Sequence, residues 1–267
     1  DSDGFTANNN SSGNGSGTTY VSWNWKAGGT GVNNTTGGIA STVSANSDIG
    51  VSFIKWQGDS NTSGTVGTGL SSSAPLDMVI IKRRDSTSNW HVGHRFSGQG
   101  ANFAYHCNLD DAAALSGNAP YMMGTQSSTN GDRLYITGDG NINTAYYIAY
   151  CFQSVEGFSK FAQYEGNGSA DGPFIYCGFK PAYLMVKSTS VNNWVVHDTT
   201  RSPYNVSLNA LFPNITNAEY TSANAYDIDL LSNGFKLRSS NTDVNHDGRD
   251  FIFMAFAEMP FKYANAR

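Results

Sequence analysis

The amino-acid sequence predicts an all-β protein of two tandem β-sandwich repeats, jelly-roll or lectin-like in type, preceded by the closing hairpin of a further repeat. Two observations support this prediction. A turn followed by an aromatic strand occurs three times, and other landmarks recur about 105 residues apart. The composition agrees, because 13% of the residues are aromatic, only 14% are charged and 29 are glycine. Such a chain suits many short strands joined by turns, rather than a disordered polymer.

The threefold pattern is a tight turn that leads to an aromatic strand. Asn-Gly and Asp-Gly dipeptides supply the positive φ angles that a turn between two strands requires. The turns and their strands are 2–5 with 20–25, 129–132 with 147–152, and 232–235 with 251–256. Recurrence of this kind predicts a repeated structural unit.

The chain divides into four segments on this interpretation. Residues 1–26 are predicted to be the closing hairpin of an upstream repeat, paired with neighbouring β-structure, and the start at Asp1 suggests a piece of a longer protein. Residues 27–49, rich in Gly, Asn and Thr, are predicted to be a linker or a long surface loop. Residues 50–156 and 157–267 are the two sandwich repeats. One larger sandwich assembled from both halves is the alternative.

The two repeats share landmarks and a similar number of strands. The landmarks are a glycine, a proline and a tryptophan: Gly69 with Gly178, Pro75 with Pro181, and Trp90 with Trp194. Each repeat has room for about six to eight strands, which is the size of a sandwich domain. Only Asp110–Leu115, with three alanines, could form a helix, and we predict one turn there.

Charge and hydropathy exclude several classes of partner. The net charge of −5 and the pI near 5.4 argue against nucleic acid. The basic run 82–84 is followed at once by Asp85, as expected of a solvated strand end. The chain lacks the run of about eighteen apolar residues that a membrane helix needs. The cysteines Cys107, Cys151 and Cys177 lack metal-site spacing, and we predict buried free thiols.

Several segments carry a resemblance to a known repeat: 20–29 (YVSWNWKAGG), 157–174, 201–205 (RSPYN), 231–238 (LSNGFKLR) and 254–267. These segments resemble a repeat found at the C-termini of structural proteins of tailed phages, especially marine ones, often described as tail-fibre proteins. The resemblance covers nearly the whole chain, and its final segment is the most specific part. It implies a virion component with a lectin-like β-sandwich fold, and it supplies no catalytic residues.

The residues argue against an enzyme. Glycoside hydrolysis needs two carboxylates facing each other across a cleft. The chain has four glutamates, and two of them, Glu156 and Glu258, close the apolar strand of successive repeats, which suggests a structural position. His91 and His94 are three residues apart and would lie on opposite faces of a strand. We therefore predict no catalytic residues, no metal and no cofactor.

One loop resembles the opening of a calcium site. Asp243, Asn245 and Asp247 have the D-x-N-x-D-G spacing of an EF-hand loop, but the twelfth position is Met254 rather than a glutamate. A plain hairpin loop is the favoured interpretation, and calcium binding is left open.

Aromatic residues are the candidates for stacking on a sugar ring. Trp90 and Trp194 recur at one repeat position, and Trp23 lies in a recurring strand, so we expect all three to fill the core. Trp56 and Tyr164 stand beside Gly58 and Gly166 at strand ends, and they are the predicted ligand-binding residues.

Taken together, these features predict a surface-exposed, extracellular virion protein: a tail-fibre, receptor-binding or adhesion module. Its expected partners are other virion proteins, copies of itself and host surface glycan. Two alternatives are a capsid or tail decoration protein that binds only other virion subunits, and a secreted bacterial sugar-binding module or adhesin.

Overall fold

The structure is a computed structural model, and it describes residues 4–8, 11–96, 103, 105–117, 126–127, 129–138 and 144–258. Within these residues the protein is all-β, as the sequence predicts, and its only helices are two single turns. The strands of the first half are β1 Val32–Asn34, β2 Ser41–Asn46, β3 Val51–Gln57, β4 Ser63–Gly67, β5 Met78–Arg83, β6 His91–His94, β7 His106–Asn108, β8 Arg133–Thr137 and β9 Tyr146–Phe152. Those of the second half are β10 Ser159–Glu165, β11 Phe174–Tyr176, β12 Pro181–Ser188, β13 Trp194–Asp198, β14 Ile228–Leu231, β15 Gly234–Leu237 and β16 Asp250–Ala257. The helices are α1 Ser11–Asn14 and α2 Thr242–Asn245.

The strands form antiparallel sheets, and none of the sheets closes on itself. In the first half a seven-stranded sheet, ordered β1-β2-β3-β9-β5-β6-β7, faces the two-stranded sheet β4-β8. In the second half a four-stranded sheet, β10-β16-β12-β13, faces the three-stranded sheet β11-β15-β14. A further core lies between the seven-stranded and four-stranded sheets. The sheets therefore stack in four layers, with an apolar core between each adjacent pair.

The last strand of the second half, β16, has both faces buried. On β16, Phe251 and Phe253 face the core of the second half, whereas Ile252 and Met254 face the core between the halves. Successive side chains of a strand point to opposite faces, so a strand buried on both sides is apolar without interruption. This is why 251–256 appears in the sequence as a continuous run of apolar residues.

The central strands of the two halves have the same order and the same pairing. The two orders are β3-β9-β5-β6 and β10-β16-β12-β13. In each, the last strand of the half (β9 or β16) lies between two earlier strands, and the fourth strand (β6 or β13) starts at or just after a tryptophan. Phe152 pairs with Met78 on β5, and Phe256 pairs with Tyr183 on β12. Counted along these pairings, Trp90 and Trp194 occupy equivalent positions.

The segment 27–49, predicted to be a linker or a long surface loop, contains the strands β1 and β2. Both strands extend the seven-stranded sheet at its β3 edge. The alternate residues Ser41 and Val43 of β2 are buried, while the rest of the strand is partly accessible. One buried face is enough to hold a strand of this polar composition in the sheet.

The hairpin predicted for 1–26 is not observed in the described residues of that segment, which contain no strand. Its tryptophans pack on the second half instead. The Trp23 and Trp25 rings meet the Tyr183 ring edge-on, at centroid distances of 5.4 and 5.6 Å. Trp23 also donates from Nε1 to the Asp198 carboxylate at 3.2 Å. The segment is held by side chains rather than by strand pairing.

The helical turn predicted at Asp110–Leu115 is also absent. The segment is irregular, and its backbone pairs with the second half: the Leu115 amide donates to the Thr189 carbonyl, and the Asn192 amide donates to the Ala112 carbonyl. These long-range bonds replace the local bonds of a helix.

Some sequence predictions lie outside the described residues. They include the last part of the phage-like segment, 259–267, and the first turn, 2–3. Within the described residues, no helix has the length and apolarity needed to cross a membrane.

Candidate binding groove

A groove of about 420 Å³ lies on the seven-stranded sheet, toward its β1 edge. Its volume is within the range of small-ligand sites. The residues that line it are Asn33, Asn34, Thr35, Ala40, Ser41, Thr42, Lys55, Trp56, Gln57, Arg84 and Tyr146. Most of these side chains carry an amide, a hydroxyl or a positive charge, and none carries a carboxylate.

Strand pairing builds the floor of this groove. Gln57 on β3 pairs with Tyr146 on β9, and the Arg84 amide, just beyond β5, donates to the Tyr146 carbonyl at 2.8 Å. These three residues therefore form one cross-strand row, which spans about 10 Å at the usual strand spacing. Lys55 lies two residues before Gln57, on the same face. Residues of β1 and β2 supply the wall of the groove.

Two cations in the groove have no partner among the described residues. The Lys55 ammonium and the Arg84 guanidinium make no hydrogen bond or ion pair there. The neighbouring cations are occupied: Arg83 pairs with Asp85 at 2.7 Å, and Lys82 donates to the Ser88 carbonyl at 2.6 Å. Lys55 and Arg84 are therefore free to bind an incoming group.

Tyr146 is the exposed aromatic residue of the groove, with 48% of its surface accessible. Its backbone is fixed in β9, and its amide donates to the Asp85 carboxylate at 3.2 Å. Gln57 is positioned by a hydrogen bond from its side-chain amide to the Thr144 carbonyl at 2.9 Å. A flat ring beside amides, hydroxyls and cations is the combination by which proteins bind sugars, because it offers an apolar face and hydrogen bonds together.

The whole chain can now be compared with known families. The model of a domain of unknown function, DUF7483, matches residues 1–260. The chain belongs to this family. No curated protein and no solved structure matches the chain.

The structure corrects the placement of the two predicted ligand residues, because both rings are buried. Trp56 is 3% exposed and stacks on Tyr147 at a centroid distance of 5.3 Å. Tyr164 is 7% exposed, stacks on Phe251 at 5.0 Å, and donates its hydroxyl to the Val244 carbonyl at 2.7 Å. Trp56 borders the groove, but neither ring offers an open face to a sugar. The physical reason is that side chains alternate between the two faces of a strand, so Trp56 lies on the same face as the core residue Ile54.

Trp194 and Trp90, both expected in the core, differ in how deeply they are buried. Trp194 is buried between the two halves, and its Nε1 donates to the Asn108 carbonyl at 2.8 Å. Trp90, at the equivalent position, is half-buried and lies against Tyr150. The core prediction is confirmed for Trp194 and holds only partly for Trp90.

The residues of the possible calcium loop have other partners. The Asp243 carboxylate accepts hydrogen bonds from Asn192, Asn193 and the Tyr226 hydroxyl. The Asn245 side chain bonds to residues 167, 169 and 239. Asp243 and Asn245 belong to α2, and Asp247 lies beyond it on the surface. The three side chains therefore hold the loop together or face solvent, and they do not converge on an ion.

His94, His197 and the three cysteines are buried, and burial favours their uncharged forms. His94 accepts from the Phe96 amide at Nδ1 and meets the Phe253 carbonyl at Nε2, which fixes the neutral tautomer with its proton on Nε2. Burial lowers the pKa of His94 to about 4 and that of His197 to about 3. The three cysteines are free and buried, as predicted, and burial raises the pKa values of Cys107 and Cys177 to about 12. Among the described residues, no three His, Cys, Asp or Glu side chains are placed to hold a metal ion.

Sequence reasoning missed Lys55, Arg84 and Tyr146 as binding residues. The alternation within 51–57 does place Lys55 and Gln57 on one face. That signal does not reveal that Tyr146, distant in the sequence, completes the row. Only the pairing of β3 with β9 brings these residues together.

Proposed function

We propose that the protein is a non-catalytic, adhesive module of a phage virion surface, and that it binds carbohydrate in the groove. The observation that carries this proposal is the exposed Tyr146 ring beside the unpaired Lys55 and Arg84 in a cleft without carboxylates. The sequence resemblance to tail-fibre repeats supports the virion location. A rigid sheet that carries the site suits attachment through many copies, since avidity then multiplies weak contacts.

We also propose that the two halves are tandem copies of one β-sandwich building block. Their matching strand order supports this proposal. The backbone amides of Trp90 and Trp194 donate to the Asp110 and Asn214 side chains, which occupy equivalent positions, at 3.0 and 2.9 Å. The cross-strand stacked pairs, Trp56 on Tyr147 and Tyr164 on Phe251, also correspond.

A glycan array with purified protein tests the carbohydrate proposal. We expect saturable binding to one class of sugar, weakened about tenfold or more by Tyr146→Ala, because removing an aromatic anchor costs more than 1 kcal/mol. Tyr176→Ala is the matched control, since Tyr176 is 61% exposed on the second half and away from the groove. No saturable binding, or equal binding by wild type and Tyr146→Ala, would refute the groove as a sugar site.

The exposed aromatic side chains of β11 favour a second candidate, a decoration module that associates with copies of itself. Phe174 and Tyr176 are 45% and 61% exposed on one face, and β11 forms the edge of its sheet among the described strands. Unpaired sheet edges with apolar side chains promote pairing between chains. Concentration-dependent association in sedimentation velocity that Tyr176→Ala abolishes, together with no sugar binding on the array, would favour this candidate.

A further inference from the structure

We infer that the groove selects acidic carbohydrate, meaning a sugar that carries a carboxylate, sulfate or phosphate group. This inference rests on the proposed sugar-binding function and names the class of ligand. The first observation is which basic side chains already have a hydrogen-bond or ion-pair partner. In an acidic chain of net charge −5, most described lysines and arginines hold a carboxylate or a carbonyl oxygen. Lys55 and Arg84 do not, and both line one groove.

The position of these cations suits a single ligand. Lys55 and Gln57 lie on one strand, and the row of Gln57, Tyr146 and Arg84 crosses three strands. A ring that stacks on Tyr146 would therefore have Lys55 and Arg84 within reach of its substituents. Arg presents a planar fork that binds carboxylate, sulfate or phosphate with two hydrogen bonds, and Lys adds a point charge.

The equivalent surface of the second half lacks the basic and aromatic side chains of the groove. Counted along the pairings, Gln57, Tyr146 and Arg84 correspond to Glu165, Asp250 and Thr189. Both acidic residues are exposed, so this surface would repel an anion. The positive groove is therefore a property of the first half and not of the repeated framework.

The decisive experiment compares acidic and neutral glycans on the wild type and on the charge-removing double variant Lys55→Gln/Arg84→Gln. The acidic probes are oligogalacturonate, a heparin oligosaccharide and a phosphorylated mannan, which distinguish the three anionic groups. The neutral probes are uncharged gluco- and manno-oligosaccharides. We expect binding to at least one acidic probe, weakened about ten- to hundredfold in the double variant, as for the loss of charge-assisted hydrogen bonds.

Controls separate this inference from the proposed function. Lys160→Gln removes one positive charge from the second half, outside the groove, and should leave binding unchanged. Binding should also weaken as the NaCl concentration rises.

Equal binding of neutral and acidic sugars, unaffected by the double variant, overturns the acidic selectivity and leaves sugar binding intact. If no sugar binds, the proposed function itself fails. Equal binding of an oligothymidylate would identify a nonspecific polyanion surface and would also overturn the inference.

Discussion

The four central strands of the two halves have the same order, yet the halves present opposite chemistry at the same end of these sheets. In the first half, β1 and β2 extend the sheet and wall a groove that holds Lys55, Arg84 and the exposed Tyr146. In the second half, β10 is the edge strand, and the corresponding surface carries Glu165 and Asp250. The comparison shows that strand order fixes where a site can form, whereas the exposed side chains and the added strands decide what it binds.

The halves also differ in what covers their tryptophans. Trp90 immediately precedes β6, and Trp194 is the first residue of β13. The backbone amide of each tryptophan donates to a side chain, Asp110 or Asn214. Trp194 is only 1% exposed because the first half packs over it, and its indole bonds to the Asn108 carbonyl. Trp90 is half-buried and lies against Tyr150. The same position is therefore central to the stability of one half and peripheral in the other.

The largest effect we expect is from truncating these two tryptophans. Trp194→Ala should lower the free energy of unfolding by about 3–5 kcal/mol, because it opens a cavity between the halves and leaves the Asn108 carbonyl without its donor. Trp90→Ala should cost only about 1 kcal/mol, since it removes a partly exposed ring. Urea unfolding followed by fluorescence measures both values. Trp194→Phe, which keeps an aromatic ring, should fall between them, and equal losses for the two alanine variants would refute the assigned contact.

The next largest effect we expect is a loss of folding stability at acidic pH, caused by His94. The equivalent position in the second half is Asp198. Asp198 is ion-paired with Arg201 at 2.6 Å, whereas His94 is neutral and buried. Burial lowers the pKa of His94 from 6.5 to about 4, so between these values the unfolded chain binds a proton that the folded chain does not. Folding stability should therefore fall as pH drops from about 6.5 to about 4, by roughly 3 kcal/mol from this residue.

The variant His94→Gln tests this pH dependence. Gln still donates to the Phe253 carbonyl but does not titrate, so denaturation midpoints measured across that pH range should fall less steeply than in the wild type. His197 contributes a slope of the same sign, because burial also lowers its pKa. A wild-type slope that His94→Gln leaves unchanged would contradict the assignment of the buried neutral form.

The sequence predicts much of this framework, and the misses have physical reasons. The alternation in 51–57 and the apolar run 251–256 predict strands, and the equivalence of Trp90 and Trp194 follows from their spacing. The strands β1 and β2 were missed because Val32–Asn34 and Ser41–Asn46 are mostly polar. Only β2 has a buried face, and β1, which buries no residue, is held by its pairing with β2. The different burial of the two tryptophans depends on how the halves pack, and local patterns carry no information on that contact.

The candidate site was less predictable than the fold. Aromatic residues at strand ends suggested Trp56 and Tyr164, but each ring lies on the core-facing side of its strand and stacks on its cross-strand partner. The groove residues Lys55 and Tyr146 are far apart in the sequence and meet only through the pairing of β3 with β9. Identifying them required the strand register, which a single sequence does not determine.

The smallest effect we expect comes from substitutions in the loop of Asp243, Asn245 and Asp247. They distinguish a structural loop from a calcium site. Asp243 accepts hydrogen bonds from Asn193 and Tyr226, so Asp243→Ala should cost about 2 kcal/mol by leaving these donors unpaired. Asp247→Ala is the matched control, and it should change stability by less than about 0.5 kcal/mol because this side chain is exposed. Thermal unfolding with calcium and then with EDTA should give the same midpoint, since the Asp243 and Asn245 oxygens already have protein partners. A midpoint that rises with calcium in the wild type, but not in Asp247→Ala, would show that the loop binds the ion after all.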